Sequence, residues 1–294
     1  METKRLNVQI VEPGVMPNRT SRFDRAGFIS EIILDGDIHF CASEPRNLAH
    51  PSSGGRGLCS EFLFDTSVGV PVGGYFPKFG IGLLKKETEE PYAFYRRYRE
   101  TPFWIDVERD KNAMAFVTEP VMCNGYAVRN TKRIVVSDRS LCITQTASNV
   151  GEKDIAMQEY NHNMISIDGM AIGPDYRLTL HDCSRIPDGP MPEETEGYAG
   201  NFECVDGDIR NRSYSGVASV CTIPAEAYTG TNVFRWTLEQ RAAGAKIDVE
   251  ECFCPSAVYL WAVDHVFSLE ALHDIRLSPG ESHTWERVWT FDRI

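Results

Sequence analysis

Six polar side chains stand alone in apolar or glycine-rich surroundings: Arg56, Glu61, Lys78, His162, His265 and Glu270. Glu270 follows Val266-Phe-Ser-Leu at the end of a strongly apolar run. A carboxylate placed there risks losing water, which raises its pKa toward the range of a general base. His162 belongs to the densest polar stretch of the chain, Gln158–Gly169, which also holds a tyrosine, three amides and two acids. Histidine is the side chain whose ordinary pKa lets it give or take a proton near neutrality. A glutamate and a histidine together could remove one proton and supply another without a cofactor. Nothing in the sequence points to nucleophilic hydrolysis, phosphate cradling or metal-assisted chemistry. The chain has no Gly-x-Ser-x-Gly, Walker loop, dinucleotide fingerprint, His-Glu-x-x-His or calcium loop.

These residues need a scaffold, and the patterning predicts β-structure. Asp35-Gly36 is a hairpin signal between Glu31–Leu34 and Ile38–Phe40. From Trp104 onward the chain reads as a meander, with candidate strands at Trp104–Val107, Ala113–Thr118, Tyr126–Asn130, Arg133–Ser137 and Ser140–Asn149. Near the end, Trp285, Arg287, Trp289 and Phe291 alternate with Thr284, Glu286, Val288 and Thr290. Ser256–Val263 is continuously apolar, as a strand buried on both faces would be. Residues 43–57 read as a long loop, 85–99 as a short helix or a bent edge strand, 169–215 as a surface excursion, and 239–245 as a connector. No segment keeps a 3.6-residue period over three turns, so little helix is expected. The expectation is an all-β, antiparallel sandwich forming a single domain over residues 1–294, with 1–20 as an N-terminal arm or leader strand. On a regular strand, Tyr160, His162, Met164 and Ser166 share one face and Asn161, Asn163, Ile165 and Ile167 the other. The first face is assigned to the cleft, and the asparagines to the sheet.

Composition narrows the partners. A formal net charge of −12 over 294 residues argues against a nucleic-acid or anionic-membrane binder, which needs clustered Lys and Arg. The N-terminus is too short and polar for the apolar core of a signal peptide, and no run approaches a membrane-spanning length, which makes the cytoplasm the expected compartment. The nine scattered cysteines fit reduced packing residues better than disulfides or a zinc site.

In order along the chain, Ser21-Arg-Phe-Asp-Arg-Ala-Gly27, Arg56-Gly-Leu-Cys-Ser-Glu-Phe62, Lys78-Phe-Gly-Ile-Gly82, Tyr160-Asn-His-Asn163, Ser268-Leu-Glu270 and Leu277-Ser-Pro-Gly-Glu281 resemble segments of the aldose 1-epimerase (galactose mutarotase-like) superfamily, in particular its less characterised bacterial branch. The resemblance spans roughly residues 20–294. It implies a large antiparallel β-supersandwich with one open sugar cleft, and an activity that interconverts sugar anomers. It matches Glu270 to the glutamate that takes the anomeric hydroxyl proton and His162 to the histidine that protonates the ring oxygen. Arg56, Lys78, Glu61, Tyr160 and Arg22 become candidate substrate-binding residues, although Arg22 has Asp24 and Asp35 as rival partners. No cofactor or metal is implied, and the partner is a small carbohydrate met by a monomer or homodimer. One departure matters: Lys78-Phe79-Gly80 stands where better-known mutarotases carry a His-Gly-Phe segment. With Arg56, Lys78 would make the cleft floor cationic, which points to a uronic acid or sugar phosphate. A non-catalytic carbohydrate-binding protein and a lyase or hydrolase of a modified sugar, using Tyr160 or His162, are the competing expectations.

Overall fold

The computed structural model describes residues 1–13, 21–44, 54–191, 200–213, 217–223 and 225–294. Two antiparallel sheets pack face to face. The first has eight strands. Seven run in the order Leu6–Val11, Phe28–Leu34, Gly57–Leu63, Ile155–Met164, Val266–Leu277, Ala257–Val263 and Ser219–Ile223, and Ile38–His39 pairs with Phe28–Leu34. The second has eleven strands, among them Val128–Ser137, Ser140–Asn149, Ser282–Arg293, Ala245–Glu251 and Phe234–Gln240. A small third sheet holds Tyr75–Lys78, Gly82–Lys85 and Glu100–Pro102. Among the described residues the helices are two single 3-10 turns, Ile167–Gly169 and Ala225–Ala227.

The alternation read in the last strand holds. Trp285, Arg287, Trp289 and Phe291 face the interior, and Glu286, Val288 and Thr290 lie on the outer face. Each fully buried large apolar side chain contributes roughly 1.5–3 kcal/mol, and Trp236, Trp289, Phe40, Phe62, Phe116 and Phe291 are among those between the layers. The interior is not wholly apolar. Arg287 lies between Glu159 and Glu251, with its Nη2 2.8 Å from Glu159. Lys132 meets Asp24 at 2.7 Å and donates to the Ala26 carbonyl at 2.9 Å. Buried charges persist only when paired and hydrogen-bonded in this way.

Several local expectations are corrected. Ala257–Val263 buries one face: Val258, Leu260 and Ala262 are inside, whereas Tyr259 is exposed and Trp261 half-buried. Its outward positions carry aromatic residues, which hid the alternation. The 169–215 region is no mere excursion, since Tyr176–Leu180, Phe202–Val205 and Asp208–Asn211 join the eleven-stranded sheet. Their buried Tyr176, Leu178, Phe202 and Ile209 are few and lie among Gly and Pro. Likewise 239–245 spans strand ends and the 241–244 turn of a hairpin whose second strand, Ala245–Glu251, buries Ala245, Ile247 and Val249 beneath charged outward residues. Residues 86–99 form neither helix nor strand. They are held by a Phe76–Tyr92–Tyr98 ring cluster and by Tyr92 Oη donating to the Ser21 carbonyl at 2.8 Å. The long loop expected at 43–57 lies largely outside the described residues, as do Gly14, Pro17 and the acidic run at 193–196.

Candidate active site

Three neighbouring strands of the eight-stranded sheet bring the site together. Tyr160 pairs with Glu61 and His162 with Cys59 across Ile155–Met164 and Gly57–Leu63. On the other side Glu159 pairs with His273 and, further along, Ile165 with Phe267. That register sets His162 opposite Glu270. Between those pairs Asn163 Nδ2 donates to the Leu269 carbonyl at 2.6 Å, and Trp289 Nε1 donates to Asn163 Oδ1 at 3.0 Å. Asn161 Nδ2 reaches Asn163 Oδ1 at 3.1 Å. The asparagines therefore occupy the interior face while Tyr160 and His162 occupy the other.

Close backbone approach permits this arrangement. Gly57 has φ +57°, and a Cβ there would sit 2.2 Å from the Ile29 carbonyl oxygen, a conformation and distance only glycine tolerates. The Ser21–Gly27 segment is pinned by Asp24 N–H donating to the Ser60 carbonyl at 2.9 Å and Arg25 N–H to the Gly80 carbonyl at 3.0 Å. Asp24 is turned inward to Lys132, and Asp35 binds Arg5 and Arg293. Arg22 is thereby left to Glu61.

Glu61 is the anionic hub. Its Oε2 accepts Arg22 Nε at 2.6 Å and the Tyr160 hydroxyl at 2.7 Å, and lies 3.3 Å from His162 Nε2. Lys78 Nζ stands 3.7 Å from Oε1 and donates to the Phe62 carbonyl at 2.6 Å. Glu61 is 1% and Lys78 3% exposed, so these charges are largely removed from water and depend on each other. Burial alone would raise the Glu61 pKa, but Arg22 and the histidine bond outweigh it and hold the carboxyl well below the usual range. Burial draws Lys78 down, with Glu61 working against it. Burial, reinforced by the Glu61 charge, pushes the Tyr160 hydroxyl up.

His162 lies between two carboxylates. Its Nδ1 is 2.7 Å from Glu270 Oε1, close but off the line of a well-formed hydrogen bond, and its Nε2 faces Glu61. Burial and nearby Arg22 disfavour the imidazolium. The charge of Glu270 and the close contacts with Glu270 and Glu61 prevail, so the pKa lies above the ordinary histidine value. The ring is also braced by Phe23 edge-on at 5.0 Å and by Tyr160 at 4.4 Å. Glu270 is the outermost of the group, its side chain 13% exposed, and Oε1 accepts from Ser268 Oγ at 3.0 Å. Tyr259 pairs with Glu270 and Trp261 with Ser268 on the next strand, so an aromatic wall adjoins the carboxylate.

Six of the seven sequence-derived candidates therefore meet: Arg22, Glu61, Lys78, Tyr160, His162 and Glu270. Arg56 does not. Its backbone bridges to Ser43 and its Nε donates to the Ser30 carbonyl at 3.0 Å. His265 lies against Asp264 and the carbonyls of Ser43 and Glu44, where it anchors a loop. Several residues at the site had no sequence signal. Glu44 lies close enough to feel the charges of Arg22, His162 and Glu270; burial, reinforced by Glu270, raises its pKa against Arg22 and His162. Phe94 lies 4.2 Å from the Arg22 guanidinium. Tyr259 and Trp261 were concealed in an apolar run. A cavity of about 870 Å³ beside Trp104, Tyr98 and Glu100 is lined by none of the seven.

The architecture recurs in solved structures. A galactose mutarotase related enzyme from Lactobacillus acidophilus superposes with a TM-score of 0.59 at 13% identity, over 99% of this chain and 96% of its own. A galactose mutarotase-like protein from Lactobacillus casei gives a TM-score of 0.60 at 12% identity over 99% of each chain. A galactose mutarotase-like protein from Clostridium acetobutylicum gives 0.55 at 11%, over 99% and 100%. No protein-family model matches the sequence, and no curated protein matches it. The protein has the galactose mutarotase-like fold. Its large antiparallel sheets are those of the β-supersandwich expected from the sequence. No helix among the described residues is long and apolar enough to cross a membrane.

Proposed function

We propose that the protein is an isomerase of the aldose 1-epimerase type, interconverting sugar anomers through ring opening. The observation that carries this reading is the contact of His162 Nδ1 with Glu270 Oε1 at 2.7 Å, with the histidine held toward its charged form. A pyranose entering beside Tyr259 and Trp261 parts this contact and presents its C1 hydroxyl to Glu270 and its O5 to His162. Glu270 takes the proton of the C1 hydroxyl. The C1–O5 bond breaks, its electron pair passes to O5, and O5 takes the proton of His162 Nδ1. C1 is now a carbonyl, Glu270 is protonated and His162 neutral. Rotation about C1–C2 and the same steps in reverse close the ring on the other face and restore both groups. Proton donation and removal of this kind are worth ~10²–10⁴-fold each. Tyr160 is not the donor in this scheme, because its hydroxyl is given to Glu61.

The charge balance favours a neutral sugar. The cationic floor expected from Arg56 and Lys78 lacks Arg56, and Glu61 answers both Arg22 and Lys78. NMR exchange spectroscopy on a panel of neutral aldoses and the corresponding uronic acids tests the reading. Faster anomer exchange than buffer on at least one neutral aldose is expected. Rates equal to buffer throughout, alongside measurable sugar binding, would instead establish the non-catalytic carbohydrate-binding reading.

The raised His162 pKa gives a pH signature. The proton donor persists above the ordinary histidine value of ~6.5, so the exchange rate should hold through that pH and fall as pH rises past the folded-state pKa. Stability follows the same sign: the contribution of charged His162 is complete below the unfolded value and lost as pH rises through the raised one. An alkaline limb unchanged in position between wild type and Glu61→Gln, which removes one of the two carboxylates facing the ring, would contradict this assignment.

A further inference from the structure

Away from the candidate site, one buried ammonium lacks a counter-charge. Lys86 follows the strand Gly82–Lys85 and is 9% exposed. Its backbone is fixed on both sides, its N–H donating to the Gly74 carbonyl at 2.9 Å and its carbonyl accepting the Gly73 N–H at 2.8 Å. Nζ makes a single hydrogen bond, to the Ser67 carbonyl at 3.3 Å. That carbonyl also accepts the Val70 N–H at 3.2 Å. No carboxylate among the described residues lies within ion-pair distance of Lys86. Ser67 is 2% exposed, and its Oγ has no hydrogen-bond partner among the described residues. Both side chains line one cavity of about 130 Å³. Phe76, Tyr92 and Tyr98 give it an apolar wall, because both phenol oxygens are engaged elsewhere: Tyr92 Oη donates to the Ser21 carbonyl at 2.8 Å, and Tyr98 Oη accepts the Ala93 N–H at 2.9 Å. Arg96, Arg97, Glu87 and Glu90 stand around the cavity. Glu90 is taken up by Arg96, while Glu87 and Arg97 are exposed.

We propose that this cavity is a binding site for a phosphate group, held by Lys86 Nζ and Ser67 Oγ and closed from outside by Arg97. An ammonium has three donors and a hydroxyl one. Lys86 therefore keeps two N–H groups free and Ser67 its O–H, and a phosphate supplies at least three acceptor oxygens for donors arriving from different directions. The apolar wall lowers the local dielectric, which strengthens each charge-assisted bond. The volume lies well below the ~300–1,000 Å³ of pockets for larger organic ligands, so the ligand is the free ion or the terminal group of a small phosphomonoester. The phosphate is distinct from any group on the sugar. Tyr92 stands between the two places, with Lys78 Nζ 4.9 Å from its ring, and none of the candidate active-site residues lines this cavity.

Sodium phosphate and glycerol phosphate are titrated separately into the full-length chain by calorimetry. The buffer is chloride at fixed ionic strength, since screening alone alters charge contacts. One phosphate per chain is expected, with a raised thermal midpoint that sodium chloride does not reproduce. Binding of glycerol phosphate as well supports the site and makes a monoester its ligand; binding of inorganic phosphate alone supports it with the free ion as ligand. Lys86→Met keeps the aliphatic stem, removes the charge, and should weaken phosphate binding at least tenfold. Ser67→Ala should weaken it by less, and Lys111→Met, at an exposed turn, should bind as wild type does. Equal phosphate affinity in wild type and Lys86→Met would overturn the proposal. Should Lys86→Met fail to fold, wild-type affinity in Ser67→Ala would overturn it equally. Absence of saturable binding of both probes to the wild-type chain would also do so, because the cavity would then hold only water.

Discussion

Glu270→Gln is expected to slow anomer exchange by ~10²–10⁴-fold, the range for loss of a general base, while leaving the fold nearly intact. The amide keeps the shape of the carboxylate and an oxygen for Ser268 Oγ, whose bond to Oε1 is 3.0 Å. Sugar binding should survive the change, so the loss falls on kcat more than on KM. His162→Ala makes the complementary case. It removes the proton donor and also empties a buried space between Phe23 and Tyr160, so it should lose both rate and stability. Exchange rates and urea denaturation on the two variants separate these effects. Full activity in both would remove the acid–base assignment.

The second large effect is structural. Glu61→Ala is expected to destabilise the protein by ~3–5 kcal/mol, the cost of breaking a buried ion pair by removing one partner. Arg22 and Lys78 would lose the carboxylate within 2.6 Å and 3.7 Å respectively, and Tyr160 would lose its acceptor. Glu61→Gln keeps an acceptor for the Tyr160 hydroxyl and should lose less. A fall in the urea midpoint ordered Ala, then Gln, then wild type is the expected result; midpoints that coincide would show that Glu61 is not the hub of this cluster.

The sheets were legible in the sequence wherever apolar and polar residues alternate cleanly, as in Trp285–Phe291. They were illegible where the outward face is also apolar, as with Tyr259 and Trp261, or where the inward face has three members, as with Ala245, Ile247 and Val249. Residue type and strand parity sufficed for Tyr160 and His162, because register transmits parity across the sheet. They could not decide between two arginines. Arg22 and Arg56 are equally suited to a carboxylate, and backbone pairing turned Arg56 toward the Ser30 carbonyl and left Arg22 for Glu61. Glu44 had no local pattern at all. Its approach to the site depends on the chain path beyond Cys41, where Ala42 N–H donates to the Met164 carbonyl at 2.9 Å.

The strand Ile155–Met164 carries two trades on one backbone. Glu159, Asn161 and Asn163 hold the interior together, and Tyr160 and His162 face the opposite way. Substitutions can therefore drift on one face without disturbing the other. Loss or gain of a single codon between Ile155 and His162 would exchange the two sets, sending an imidazole toward Trp289 and an amide toward Glu270. Lineages that carry this strand should thus differ by replacement within it and confine changes of length to the turns on either side.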